Sequence, residues 1–396
     1  MKHLALALLL LLCLALLGGC GGGQEIESCL FVLAMSVDPA PDGALTVTVK
    51  ALSGTQEAAA PAGEQEQPDG QGAPSAQESS SGVETSEPGY IVLSATAPSC
   101  LRALSLLSAT TPRTVNLSQL REIVLSRTLC ESGAALSILK EIHAMYRANG
   151  EAIVVVTPDD AGDFIRRQRP ILGVRLSQYL EGLFEHFSQI DTIPPNAQLS
   201  AVIEAMQSDT IDAAAVYAAA NSFDSTLMLS ESDELNRLPG HLPRTSPARN
   251  EYLGTALFSG ARMVGTLTGE ETGLLCLMLG RAQRSTAFIG NAQYRIHLPT
   301  RVRRTLGEDG ALCVRISMSL MHAAGEEQRP APEIAADIER ECAALLLKLR
   351  AAGCDAVGFG RLAIRRCLTL PQWQTLNWPS VYTALPVRVS AQVKVL

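Results

Sequence analysis

The sequence predicts an α+β fold, with mixed sheets flanked by helices, split into more than one domain behind a removable N-terminal segment. Three observations predict it. Strand-like alternation and helix-like three-to-four spacing come in blocks instead of alternating strictly, which separates α+β from α/β architecture. The 396 residues have room for two or three hydrophobic cores. An apolar fraction of 47% against 18% charged residues excludes a wholly disordered chain. Lys and Arg number 32 against 40 Asp and Glu, so the net charge of −8 lacks the basic stripe of a nucleic-acid binder. Ten cysteines over this length are too few for a small disulfide scaffold.

Residues 1–19 read as an export signal. Lys2 supplies positive charge, and an unbroken apolar run of 14 residues spans Leu4 to Leu17. A membrane-crossing helix needs about 20 such residues, so the run is too short to span. Leu17-Gly18-Gly19-Cys20 resembles the bacterial lipobox, in which the cysteine receives a diacylglyceryl group and becomes the new N-terminus. Together with a further fatty acyl chain on Cys20, this would anchor the chain stably, since one chain binds a bilayer only marginally. The other reading of Cys20 is an ordinary cysteine in a secretory signal. Residues 20–23 form the flexible tether behind the anchor.

Residues 24–195 form the expected N-terminal α+β domain. Residues 44–50 alternate Leu45, Val47 and Val49 with Thr46, Thr48 and Lys50, the period of a half-buried strand. Residues 90–95 make its hairpin partner. Between them, about 53–89 holds seven acids, no base and no aromatic residue, so a disordered hairpin insertion is expected. Without it and the signal, the chain is nearly neutral. Leu101, Leu104 and Leu107 then place a helix over 98–109, followed by a strand at 122–126, a helix at 132–147 and an apolar strand at 151–157. Thr157-Pro158-Asp159-Asp160 reads as a helix start, with Thr157 as N-cap and the acids near the dipole. Helices follow at 176–190 and 198–207. Pro194-Pro195 marks an expected boundary, after which 196–250 is a helical and linker segment.

Residues 251–396 form the expected C-terminal α+β domain. Two short strands surround Gly260, a helix covers 270–280, and strands at 293–301 and 312–321 flank the turn Gly307-Glu308-Asp309-Gly310. A long helix from Pro332 to about Ala352 carries the stripe Ile334, Ile338, Cys342, Leu345 and Leu349, with Gly353 as its terminating glycine. Val387, Val389, Val393 and Val395 alternate with polar residues in a last strand.

Catalytic and metal-binding patterns are missing: no HExxH, paired CxxC, P-loop or GxSxG occurs. Ser137-Ile138-Leu139-Lys140 matches an SxxK, but no SDN or KTG accompanies it. Gly358-Phe359-Gly360 lacks the third glycine of a pyrophosphate loop and reads as a close backbone approach. The histidines are scattered singly. Cys276 and Cys342 sit on apolar helix faces as small hydrophobes, and disulfide pairing stays open. The expectation is no enzyme, no catalytic residue, no metal and no cofactor beyond the acyl anchor on Cys20. The functional residues expected are Leu17, Gly18, Gly19 and Cys20.

Asp355-Ala356-Val357-Gly358-Phe359-Gly360 follows the long helix, and Trp373 and Trp378 precede the last strand. This order resembles the end of the Ger(x)C spore-germination lipoproteins, the C subunits of nutrient germinant receptors. LFVLAMSVDPAPDGALTVTVKA resembles the family's first two strands with the Asp-containing turn at Asp38. IVLSATAPSCLRALSLLSATTPRTVNLSQLREIVLS and GTALFSGARMVGTLTGEETGLLCLMLG resemble its next strand–helix–strand and its mid-chain hairpin. Gln119 departs from the histidine many relatives carry. The resemblance implies a three-domain α+β body without enzymatic activity, lipid-anchored on the extracytoplasmic face of the membrane, which in a spore is the outer surface of the inner membrane. It implies assembly with two integral-membrane receptor subunits, and no nucleic acid or direct small-molecule ligand is expected. Phe359, Trp373 and Trp378 are expected in the core. The alternative is a solute-binding lipoprotein of an import system, which requires a cleft between two comparable lobes.

Overall fold

The computed structural model describes residues 28–52, 89–170, 175–221, 236–242, 250–282, 286–289, 292–322 and 329–396. The export signal, the lipobox and nearly all of the acidic insertion lie outside these residues.

Two sheets organise the chain. The first is built from β1 (Cys29–Pro39), β2 (Leu45–Leu52), β3 (Tyr90–Ala97), β4 (Thr114–Asn116), β5 (Glu122–Ser126), β6 (Ile153–Thr157), β7 (Ala214–Ala220), β8 (Asn250–Ser259) and β9 (Arg262–Leu267). Its order is β3-β2-β1-β5-β6-β7-β8-β9, with β4 paired to the start of β1. The centre, β1-β5-β6-β7, is parallel, and an antiparallel pair of strands extends it on either side. Parallel strands need crossovers, and helices supply them. α1 (Cys100–Ala109), α2 (Arg127–Ser132), α3 (Ala135–Tyr146) and α6 (Leu199–Gln207) bury Leu104, Leu129, Leu139 and Val202 in one core. α4 (Ala161–Arg167) and α5 (Leu176–Gln189) cover the other face with Phe164, Ile165, Leu180 and Phe184. Edge-to-face contacts of Phe164 and Phe184 on Tyr252, at 5.7 and 5.5 Å, lock that layer.

The second lobe is a smaller sheet, β10 (Thr286–Ile289), β11 (Ala292–Leu306), β12 (Leu312–His322) and β13 (Val387–Val395), in that order. β12 and β13 run parallel, and the long crossover between them contains α8 (Ala331–Ala351). The stripe Ile334, Ile338, Cys342, Leu345 and Leu349 is fully buried against the sheet. α7 (Gly269–Met278) starts with a complete capping box of Thr268 and Glu271, and its Leu275 and Met278 join the same core. α9 (Gly360–Ala363), α10 (Leu370–Leu376) and α11 (Trp378–Tyr382) close the lobe with Trp373, Trp378 and Tyr382.

Several expectations change. β2 is not half-buried: Val47, Thr48, Val49, Lys50 and Ala51 are all buried, because helices cover both faces of its sheet. The helix expected at 132–147 is α3, and a separate short helix that the sequence did not mark, α2, precedes it and ends at Gly133 with φ +88° in the left-handed region. Asp160, not Thr157, caps α4, accepting the Asp163 N–H at 2.7 Å. Asp159 accepts the Ala220 N–H at 3.0 Å instead of sitting in the helix. The boundary expected at Pro194-Pro195 falls inside the first lobe. α6 and β7 from the middle segment, and β8 and β9 from the C-terminal segment, belong to the first sheet.

Candidate functional site

Buried carboxylates mark the places where this fold spends polar groups in its interior. The densest site lies where the two lobes meet. α8 ends at Ala351 with Ala352 as its C-cap, Gly353 turns the chain with φ +66°, and Asp355 follows with 2% of its surface exposed. One oxygen of its carboxylate accepts the N–H groups of Gly358 and Phe359, both at 2.9 Å. The other accepts the Gly360 N–H at 2.7 Å and the Trp378 indole Nε1–H at 3.0 Å. Four donors converge on one side chain, which folds residues 355–360 into a tight loop. Burial pushes its pKa up to about 7 in spite of those bonds.

The loop is tied to the first lobe. Asp212, just before β7, accepts the Asp355 N–H at 2.7 Å and, through its other oxygen, the Gly260 N–H of the β8–β9 turn at 3.0 Å. The Asp212 N–H donates back to the Asp355 carbonyl at 3.2 Å. Trp373 donates its Nε1–H to Asp209 at 2.7 Å and stacks on Trp378 with ring centres 6.1 Å apart. Tyr382 donates to the Cys354 carbonyl at 3.1 Å. Residues 209–212 are therefore gripped from the C-terminal lobe by one loop and by Trp373, which Trp378 backs.

Two glycines make the grip possible. Gly358 has φ +79°, a conformation side chains rarely take. A Cβ on Gly360 would lie 2.6 Å from the Thr210 carbonyl oxygen and 2.7 Å from Trp378 Nε1. Gly360→Ala is thus expected to destabilise the protein by about 1–3 kcal/mol, the usual range for overpacking a tight contact. Urea unfolding checks it; an unchanged midpoint would mean the lobes do not meet this closely.

A second polar centre lies under α4 and α5. Ala34 on β1 is paired with Lys50 on one side and Glu122 on the other, which sets the two charged residues either side of a small one. Lys50 Nζ donates to the Gln168 carbonyl. Gln168 Nε2 donates to Glu122 at 2.5 Å and to the Tyr252 hydroxyl at 2.7 Å, and that hydroxyl donates to Glu122 at 3.2 Å. Complete burial raises the Glu122 pKa to about 7, against the opposing pull of Gln168, Tyr252 and Lys50. A third carboxylate, Asp38 at the end of β1, accepts the N–H groups of Ala161 and Gly162 at 2.8 and 2.9 Å and anchors the start of α4.

The residues singled out in the sequence divide clearly. Leu17, Gly18, Gly19 and Cys20 lie outside the described residues. Ser137 and Lys140 sit on the exposed side of α3, with the Ser137 hydroxyl donating to the Ala134 carbonyl at 2.8 Å. Phe359, Trp373 and Trp378 are core residues at 0, 2 and 5% exposure. Cys100, Cys130, Cys342 and Cys354 are buried thiols, and burial pushes the pKa of Cys342 up to about 12. No group of three or more His, Cys, Asp or Glu residues able to hold a metal ion occurs among the described residues. Sequence reasoning missed Asp212, Glu122, Gln168 and Tyr252. Lys50 and Glu122 did carry a signal, each being a charged residue within a strongly apolar strand.

Fold and site together define a two-lobed α+β protein whose lobes are fastened through buried carboxylate-to-backbone contacts. The sequence matches the family model described as the spore germination protein N-terminal domain over residues 22–220, and that described as spore germination B3/GerAC like, C-terminal, over residues 253–396. The chain belongs to the Ger(x)C family of spore germination proteins. A crystal structure of the GerBC protein is similar to 94% of this chain over its own full length, at 13% identity and a TM-score of 0.45. Comparison with curated protein sequences finds no significant match. Among the described residues no helix is long and apolar enough to cross a membrane.

Proposed function

We propose that this chain is the lipid-anchored C subunit of a nutrient germinant receptor, without catalytic activity of its own. Cys20 carries the acyl groups, and the body stands on the extracytoplasmic face of the membrane, the outer surface of the inner membrane in a spore. There it assembles with two integral-membrane subunits. The observation carrying this reading is the coverage by the two family models: one begins at residue 22, two residues past Cys20, and the other runs to residue 396. The solute-binding alternative wants comparable lobes, whereas among the described residues these are built on sheets of nine and four strands.

Cys20→Ala, expressed in spores, is expected to move the protein from the membrane to the soluble fraction and to abolish its co-purification with two polytopic proteins. Germination in response to the cognate nutrient should fall at least tenfold, because two acyl chains supply the stable attachment. Retention of the variant in the membrane fraction at full yield would remove the anchor from the proposal. A deletion strain that germinates normally with every nutrient, in a background lacking paralogous receptors, would remove the receptor role.

A further inference from the structure

The junction between the lobes encloses more than contacts. Beside the 355–360 loop lies a cavity of about 370 Å³, at the lower end of the roughly 300–1,000 Å³ range of small-molecule sites. Its wall carries four arginines, Arg281, Arg304, Arg361 and Arg365, together with Asn196 and Gly358, and no carboxylate. Arg304 is half-buried and Arg281, Arg361 and Arg365 reach solvent, so four guanidinium groups around one space raise the local positive potential and attract an anion there. Three are uncommitted: the side chains of Arg281, Arg361 and Arg365 make no hydrogen bond or ion pair among the described residues. Arg304 is fixed in place by donating to the Val357 carbonyl at 2.6 Å. Burial, with Arg361 adding like charge, lowers its pKa, while Asp355 opposes that shift from behind the loop. An adjoining cavity shares Arg281 and Arg361 and contains Glu204 and Asp212, whose carboxylate is already taken by the Gly260 and Asp355 N–H groups.

We propose that this cavity binds a multivalent oxyanion, a phosphate ester or a polycarboxylate, held by Arg281, Arg304, Arg361 and Arg365 between the two lobes. Planar guanidinium forks match both phosphate and carboxylate oxygens, and the volume exceeds what a single phosphate fills. Because Asn196 comes from the first lobe and Arg304 and Arg361 from the second, the bound anion bridges them and stabilises the folded, closed arrangement by mass action. The site does not depend on the receptor reading, and it adds a direct small-molecule ligand that the sequence did not lead us to expect.

The test uses the full mature chain with Cys20→Ala, titrated calorimetrically with pyrophosphate and with citrate at constant ionic strength set by chloride. Saturable binding with a rising melting temperature is expected for at least one of them. Arg281→Gln, Arg361→Gln and Arg365→Gln should each weaken it about tenfold, the factor for one lost charge-assisted hydrogen bond, with the ligand-free melting temperature unchanged or slightly raised as like-charge repulsion is relieved. Flotation with phosphatidic acid vesicles, whose headgroup is a phosphate monoester, separates the sources: arginine-dependent flotation assigns the oxyanion to a lipid headgroup, and soluble binding without flotation assigns it to a free metabolite. Absence of saturable binding to all three probes, or binding that none of the three variants weakens, overturns the proposal.

Discussion

Asp355→Ala is expected to cost about 3–5 kcal/mol of stability, the range for removing one partner of a buried, multiply bonded charge. The variant leaves the N–H groups of Gly358, Phe359 and Gly360 and the Trp378 indole N–H without their carboxylate acceptor. Each buried donor left unsatisfied is costly by itself, and the loop they form is the one that grips residues 209–212. Asp355→Asn should lose less, about 2 kcal/mol, since its amide keeps one accepting oxygen but turns an NH₂ toward facing donors. Urea unfolding gives the magnitude. Hydrogen exchange should accelerate at 208–213 as well as 355–360, which a purely local effect would not produce. If only the 355–360 amides respond, the loop shapes its own lobe without fastening the other.

Between pH 4.5 and 7 the protein should become less stable as pH rises. Glu122 has a folded pKa of about 7 against 4.5 when unfolded, because complete burial penalises its charged form. The folded state therefore binds the proton more tightly, so its stabilisation is full below about pH 4.5 and is lost as pH climbs through about 7. The shift corresponds to about 3 kcal/mol at 1.36 kcal/mol per unit. Asp355, lifted to about 7 from 3.8 by the same cause, adds a loss of the same sign in the same window. Glu122→Gln should flatten this fall by about half, read from urea midpoints between pH 4.5 and 8. A midpoint that rises with pH across that window would show that Lys50 and the hydrogen bonds outweigh burial, and that Glu122 is ionised throughout.

Much of the fold was legible in the residues. The strand at 122–126 coincides with the expectation, and the Leu spacing of α1 and the stripe of α8 located their helices, because periodicity records which face is buried. The close approach at Gly360 was also legible, since glycine is the residue that lets one backbone reach another. Other features could not be read this way. β2 looked half-buried because Thr and Lys alternate with Val, yet alternation cannot say whether a second layer of helices covers the polar side. β7 is alanine-rich, so neither period marks it, and only its place in the sheet makes it a strand.

The sequence by itself determined the α+β class, the order of most elements, the family and the expectation of an anchored subunit, all of which rest on local spacing and motif order. Tertiary structure alone decided that one sheet runs from β3 to β9 across the expected boundary, that Asp212 and Asp355 lie against each other, and that four arginines from three segments share one cavity. The physical reason is range. Periodicity and capping act over a few residues, whereas a buried charge finds its partner wherever the chain returns, here 143 positions later.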